Sequence, residues 1–242
     1  MKNTIIGNRD RKVSVFRSEK EEIPLILTSP HSGQLFTKNF LKKNKSNVDR
    51  YSLTHDMYVD DIIQGLEKLG LTILQSEISR VVIDLNRHKY EIDPSSINDF
   101  PSDINFKITS KAKSGIGIIP LRDAFGKKIY EKDLGWDEIS LRLKHFYLPW
   151  HETLSGLIND MYRKYGFVFL IDCHSMPSTY QKRKELADFV IGNLNDKSCF
   201  RPTVDTFSKN IVSQGYKVAV NNPYSGGFIT ENYYDLKRNI QT

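Results

Sequence analysis

Two short apolar runs in this chain each end abruptly at a histidine, and few folds satisfy both. Pro24-Leu25-Ile26-Leu27-Thr28-Ser29-Pro30-His31-Ser32-Gly33 and Phe167-Val168-Phe169-Leu170-Ile171-Asp172-Cys173-His174-Ser175 each read as a buried strand that delivers an imidazole at its C-terminal tip. Open α/β sheets carry their chemistry at that edge. Two imidazoles arriving there from distant parts of the chain point to one shared metal ion.

The pattern around these runs alternates between strands and amphipathic helices. In the first half, strands are predicted at Val13 to Phe16, Leu25 to Thr28, Leu71 to Leu74 and Arg80 to Leu85. Met57, Ile62, Ile63, Leu66 and Leu69 fall close to helical spacing and predict a helix stopped by Gly70, a natural C-terminal cap. From His88 to Lys132 periodicity is lost among Pro94, Pro101, Gly115, Gly117, Pro120 and Gly126. A connection of that length is usually functional, and it reads as an excursion over the active-site mouth. Ile139, Leu143, Phe146, Leu154, Leu157, Ile158 and Met161 then suit one long helix or two, bent at Pro149 and ended at Gly166. Strands at Phe167 to Ile171, Asp188 to Ile191 and Lys217 to Val220, with a helix from Thr203 to Val212, complete the reading. The fold class is α/β, a mixed, mostly parallel sheet flanked by helices.

With 242 residues and 39% apolar content, the chain can bury the core of one domain spanning residues 1–242. Its formal charge of +6 raises the question of a polyanionic partner. The basic residues are dispersed, however, with only short clusters at Lys38 to Lys45 and Lys182 to Lys184, so no nucleic-acid partner is expected. Two cysteines, Cys173 and Cys199, are too few for a disulfide framework or a cysteine-based zinc ribbon and fit a reducing compartment. No run approaches the roughly 18 apolar residues of a membrane-spanning helix, and Met1 to Asp10 lacks the apolar core of a secretory signal. The expectation is a cytoplasmic protein with no membrane partner.

A catalytic zinc ion commonly takes three protein ligands and keeps a fourth position open. His31 and His174 supply two. Thr54-His55-Asp56-Met57-Tyr58-Val59-Asp60-Asp61 offers Asp56 or Asp60 as a third, although Asp56 also suits a helix cap. Ser79-Arg80-Val81-Val82-Ile83-Asp84-Leu85-Asn86-Arg87 sets Arg80, Asn86 and Arg87 around an apolar run, and guanidinium groups grip carboxylates through two parallel hydrogen bonds. In Asn221-Asn222-Pro223-Tyr224-Ser225-Gly226-Gly227-Phe228-Ile229-Thr230, the paired Gly226 and Gly227 allow either close backbone approach to a ligand or a tight turn.

Six segments then appear in a telling order: Pro30-His31-Ser32-Gly33, Ser79 to Arg87, Pro149-Trp150-His151, Asp172-Cys173-His174-Ser175-Met176-Pro177-Ser178, Asp188-Phe189-Val190-Ile191-Gly192 and Gly226-Gly227-Phe228-Ile229-Thr230. In order and spacing the chain resembles the N-formylglutamate amidohydrolases from about Pro24 to Tyr234. That family is similar in fold to the zinc carboxypeptidases and akin to aspartoacylase and succinylglutamate desuccinylase. The resemblance implies zinc held by His31, Asp56 and His174, with Arg80, Asn86 and Arg87 recognising a substrate carboxylate. It also implies hydrolysis of N-formyl-L-glutamate, or of a related small N-acyl amino acid, to formate and glutamate.

One family element does not appear. Relatives usually carry a glutamate base some distance after the Gly-Gly-aromatic element, in a Gln-Leu-Glu-like stretch, whereas this sequence stops at Thr242. Two expectations follow: a version truncated at the C-terminus, or recruitment of Glu231 as the catalytic base. A catalytically silent zinc- or ligand-binding relative and a carboxypeptidase-like peptidase are the alternative functions.

Overall fold

The computed structural model describes residues 5–6, 13–19, 21–44, 48–180 and 184–242. Strands β1 (Val13–Phe16), β2 (Leu25–Ser29), β3 (Thr72–Ser76), β4 (Val168–Asp172), β5 (Phe189–Ile191), β6 (Val218–Val220) and β7 (Ile240–Gln241) matter for the site. The helices that support them are α1 (Val59–Ile63), α2 (Trp136–Arg142), α3 (Leu148–Tyr165), α4 (Arg201–Ser213) and α5 (Phe228–Tyr233). The central sheet runs β7-β4-β2-β3-β1, with every neighbour parallel except β1, which lies antiparallel to β3. This is the mixed, mostly parallel α/β sheet that the alternation predicts.

Strand periodicity decides what each sheet face buries. Ile26, Leu74, Val168 and Leu170 join one large core with Trp150, Leu154, Leu157, Ile158 and Met161 of α3. The neighbours one residue along, Leu27, Ile73 and Ile171, turn to the opposite face and pack with Ile63 of α1 and Leu66. Both faces are therefore covered, as a parallel sheet requires. Leu154 is fully buried, and its truncation to alanine is expected to cost about 2–5 kcal/mol.

Four expectations change in detail. The helix predicted from Met57 to Leu69 is broken: α1 ends at Ile63, Gln64 is extended, Gly65 turns left-handed with φ 93°, and a 3-10 turn covers Leu66–Leu69. Ile62 and Leu69 are 73% and 70% exposed, so the apolar spacing there did not mark a continuous buried stripe. Gly70 does form the cap, at φ 98°. The strand predicted from Arg80 to Leu85 is instead a buried series of turns. Val82 N–H donates to the Ser79 carbonyl and Asp84 N–H to the Ile118 carbonyl, so no strand ladder forms. Val81, Val82, Ile83 and Leu85 are at most 1% exposed, and burial on all sides yields the same apolar run as a strand.

The stretch from His88 to Lys132 is packed rather than merely laid over a mouth. It buries Ile92, Ile97, Ile118, Ile119 and Ile129 in the large core. Finally, α2 and α3 are joined by a π-helical turn, Leu143–Tyr147, just before Pro149. The wide turn falls where proline cannot donate a hydrogen bond, and the helix reaches Gly166, left-handed at φ 76°, as predicted. Strands β5 and β6 pair in parallel with each other, outside the central sheet, with α4 between them.

Candidate metal centre

Parallel pairing of β2 and β4 sets Thr28 opposite Asp172, so the residues just beyond both strands emerge side by side. The Thr28 hydroxyl donates to Asp172 Oδ1 at 2.7 Å, locking that register. His31 and His174 thereby come together with ring centroids 4.8 Å apart. Asp56 joins them because its own amide donates to the His31 carbonyl at 3.1 Å. One ligand atom from each of His31, Asp56 and His174 lies within 4.8 Å of the other two. Asp60, one position into α1, is outside this group.

Each imidazole is oriented by a second carboxylate. His31 Nε2 is 2.7 Å from Asp84 Oδ1, and His174 Nε2 is 2.7 Å from Asp172 Oδ2. Both Nδ1 atoms are left for Asp56 Oδ2, at 2.7 Å from His174 and 3.5 Å from His31. Metal-binding histidines are held in this way, with the non-ligating nitrogen on an acid. His31 Nδ1 is buried without any hydrogen-bond partner, which suits an atom reserved for a cation. The donor set, two imidazoles and a carboxylate, is also one that zinc accepts.

Charge in the cage is strongly biased. Burial alone would lower the His174 pKa, but Asp172 and Asp56 together outweigh it and push it up to about 10. Burial would raise Asp56, yet the hydrogen bond from His174 and the adjacent His31 ring bring it below the usual carboxylate range. Asp84 follows the same logic: burial is outweighed by His31, Arg80 and Arg87. The acids thus draw a positive charge to His174 Nδ1, and a divalent cation would take the place of that proton. Neighbouring His55 goes the other way, down to about 4, through burial and then Arg80 and His31.

Of the expected carboxylate-binding residues, Arg80 is already engaged. Its Nη2 donates to Asp84 Oδ2 at 2.8 Å, and its Nη1 lies 3.8 Å from Asp56 Oδ1. Asn86 is a structural pin: Nδ2 donates to Asp172 Oδ2 at 2.9 Å while Oδ1 accepts from the Ile229 amide at 2.7 Å. Arg87 is looser, with ion-pair distances of 3.9 Å to Asp84 and 3.8 Å to Glu91, and its buried Nε has no hydrogen-bond partner.

The paired glycines serve close packing. A Cβ on Gly227 would fall 2.6 Å from Asn86 Nδ2, and Gly226 is left-handed at φ 126°. The close approach that glycine allows here is to Asn86. Glu231, on α5, is exposed, and its nearest ion partner is Lys107 at 4.0 Å. It makes no hydrogen bond or ion pair with His31, Asp56 or His174 among the described residues. Asp84 and Asp172, which orient the two rings, are functional residues that the sequence motifs contain but do not single out. The signal was there, since an acid stands two residues before His174.

A family model described as N-formylglutamate amidohydrolase matches residues 23–242. An N-formylglutamate deformylase of Pseudomonas putida is 25% identical over 224 residues, 90% of this chain and 77% of the relative. One of Pseudomonas aeruginosa is 25% identical over 238 residues, 93% of this chain and 80% of the relative. The crystal structure of an N-formylglutamate amidohydrolase from Ralstonia eutropha superposes with a TM-score of 0.88 at 28% identity, covering 95% of this chain and 83% of that one. A further structure, from Agrobacterium tumefaciens, shares the fold with a TM-score of 0.60 at 18% identity, over 89% of this chain and 75% of that one. With both histidine-bearing strands and the acids around them inside the matched region, this chain belongs to the N-formylglutamate amidohydrolase family.

Proposed function

We propose that the chain is a zinc-dependent amidohydrolase of the cytoplasm, cleaving N-formyl-L-glutamate or a closely related N-acyl amino acid to formate and glutamate. The convergence of His31, Asp56 and His174 carries this reading. It is supported by similarity to two Pseudomonas N-formylglutamate deformylases. Bound at these three residues, zinc would supply Lewis acidity, polarising an acyl oxygen and making water a better nucleophile.

The chain's own residues do the rest. Asp84 and Asp172 keep both imidazoles aimed inward. Arg87, held only by ion pairs of 3.9 Å to Asp84 and 3.8 Å to Glu91, offers its planar guanidinium to a substrate carboxylate. Lys111 stands close enough to matter: burial first, then repulsion from Arg87, lowers its pKa, and an anionic substrate relieves that repulsion. Glu231 is assigned as the general base that accepts the proton from attacking water and returns it to the leaving nitrogen.

The exposure of Glu231 and its ion pair with Lys107 favour a second reading, in which the centre binds metal and ligand without turnover. Metal analysis with a formate-release assay on wild type, His174→Ala and Glu231→Gln separates the two. The expected result is about one zinc per chain, with turnover abolished in His174→Ala and slowed about 10²- to 10⁴-fold in Glu231→Gln. Full metal without turnover of formyl, acetyl or succinyl amino acids leaves the silent reading. Metal-free protein with an intact fold overturns both.

A further inference from the structure

Pro149-Trp150-His151 takes no part in the metal centre, yet its histidine is half of a paired contact to the loop that does. Tyr147 and His151 lie four residues apart and so share one helix face. The Tyr147 hydroxyl donates to the Arg87 carbonyl at 2.9 Å, and His151 Nε2 donates to the Leu85 carbonyl at 3.1 Å. A carbonyl only accepts, so the ring proton sits on Nε2. Nδ1 then accepts from the Tyr233 hydroxyl at 2.7 Å. The rings reinforce this arrangement: Tyr233 stacks on His151 with planes 6° apart, and the Tyr147 centroid is 4.0 Å away. Burial pushes the His151 pKa down to about 4, which keeps the imidazole neutral near pH 7 and able to donate and accept at once.

The two anchored carbonyls bracket Asn86. Beyond them on the same short segment stand Asp84, which orients His31, and Arg87 itself. Asn86 in turn holds Asp172, the partner of His174. Tyr147, His151 and Tyr233 themselves line a cavity of about 510 Å³, together with His88 and Phe228.

We propose that Tyr147 and His151 clamp the Asp84–Arg87 segment, with Tyr233 fixing the imidazole tautomer, and that all three are positioning residues for substrate-carboxylate recognition by Arg87. The kinetic part of this inference rests on the hydrolase reading above. Tyr147→Phe and His151→Ala each remove one anchor, whereas His151→Gln keeps an amide donor near the place of Nε2.

In the full-length, zinc-loaded chain, His151→Ala and Tyr147→Phe are expected to raise KM for N-formylglutamate about five- to tenfold, the effect of one net hydrogen bond. Zinc content and kcat stay within about twofold, and His151→Gln returns KM to within about twofold of wild type. Tyr233→Phe gives a smaller rise, and adding it to His151→Ala has no further effect, because it acts through the imidazole. Hydrogen exchange supplies a readout that needs no turnover. The Asp84 and Asn86 amides, bonded at 2.7 Å to the Ile118 carbonyl and 2.9 Å to Asp84 Oδ1, should exchange faster in His151→Ala and Tyr147→Phe while β2 and β4 keep their protection.

Unchanged KM together with unchanged exchange at these amides overturns the clamp, as does failure of glutamine to restore what alanine loses. If His151→Ala does not fold, Tyr147→Phe carries the same test. A wild type that hydrolyses no N-acyl amino acid overturns the hydrolase reading instead, and exchange at Asp84 and Asn86 then decides the clamp alone.

Discussion

The His31–Asp56–His174 cage and the Lys107–Glu231 rim differ first in how many bonds fix each group. Both ring nitrogens of His174 meet carboxylates at 2.7 Å, and His31 is pinned by Asp84 at the same distance. At the rim, Lys107 and Glu231 are 47% and 64% exposed and 4.0 Å apart, a pair that water and salt weaken. A cage of this kind exists before any ligand arrives and can be tested with metal alone. The rim pair lacks such fixing bonds among the described residues, so its test is kinetic.

The largest expected effect falls on the cage. His174→Ala or Asp56→Ala should take bound zinc from about one equivalent to background, read by elemental analysis. Retention of zinc by either variant would erase the distinction between cage and rim. Glu231→Gln, by contrast, should leave zinc content unchanged while slowing formate release about 10²- to 10⁴-fold. A loss of zinc there would move Glu231 into the cage. Asp84→Asn and Asp172→Asn should weaken zinc affinity about 10- to 100-fold by releasing the ring each acid orients, measurable by competition with a chelator.

A smaller effect concerns stability and pH. The His151 pKa falls from the ordinary 6.5 to about 4 on folding, so below pH 6.5 the unfolded chain takes up the proton first. The associated stabilisation is complete above about pH 6.5 and gone below about pH 4. Between those limits wild type should lose at most about 3 kcal/mol more than His151→Gln, read from urea unfolding at each pH. Smallest of all, Lys107→Ala should change stability by no more than about 0.5 kcal/mol, since its partner is an exposed carboxylate. A cost of several kcal/mol would show that the rim is built as firmly as the cage.

The strand tips were the legible part of the site. A buried parallel strand advertises itself through an unbroken apolar run, and the polar break after Leu25–Ser29 and Val168–Asp172 marks where each histidine emerges. The Arg80 to Leu85 segment is not legible as a turn because a buried turn has the same β-branched composition as a strand, and only its partners, the Ser79 and Ile118 carbonyls, distinguish the two. The use of Asn86 was likewise hidden. Its partners, Asp172 and Ile229, lie 86 and 143 residues away, a separation that local pattern cannot span. In the sequence Gly227 offers room for either a ligand or a turn, and in the structure the space is taken by the Asn86 amide.

The hydroxyl of Thr28, bound across the sheet to Asp172, ties competence to registry. Side chains alternate faces along a strand, so a slip of one residue between β2 and β4 would put Leu27 and Ile171, which now share a face, on opposite faces and separate the two imidazoles. A misaligned chain would then lack the ligand set, and a cation present during refolding would bind and accumulate only the aligned form, acting as a proofreader of strand alignment.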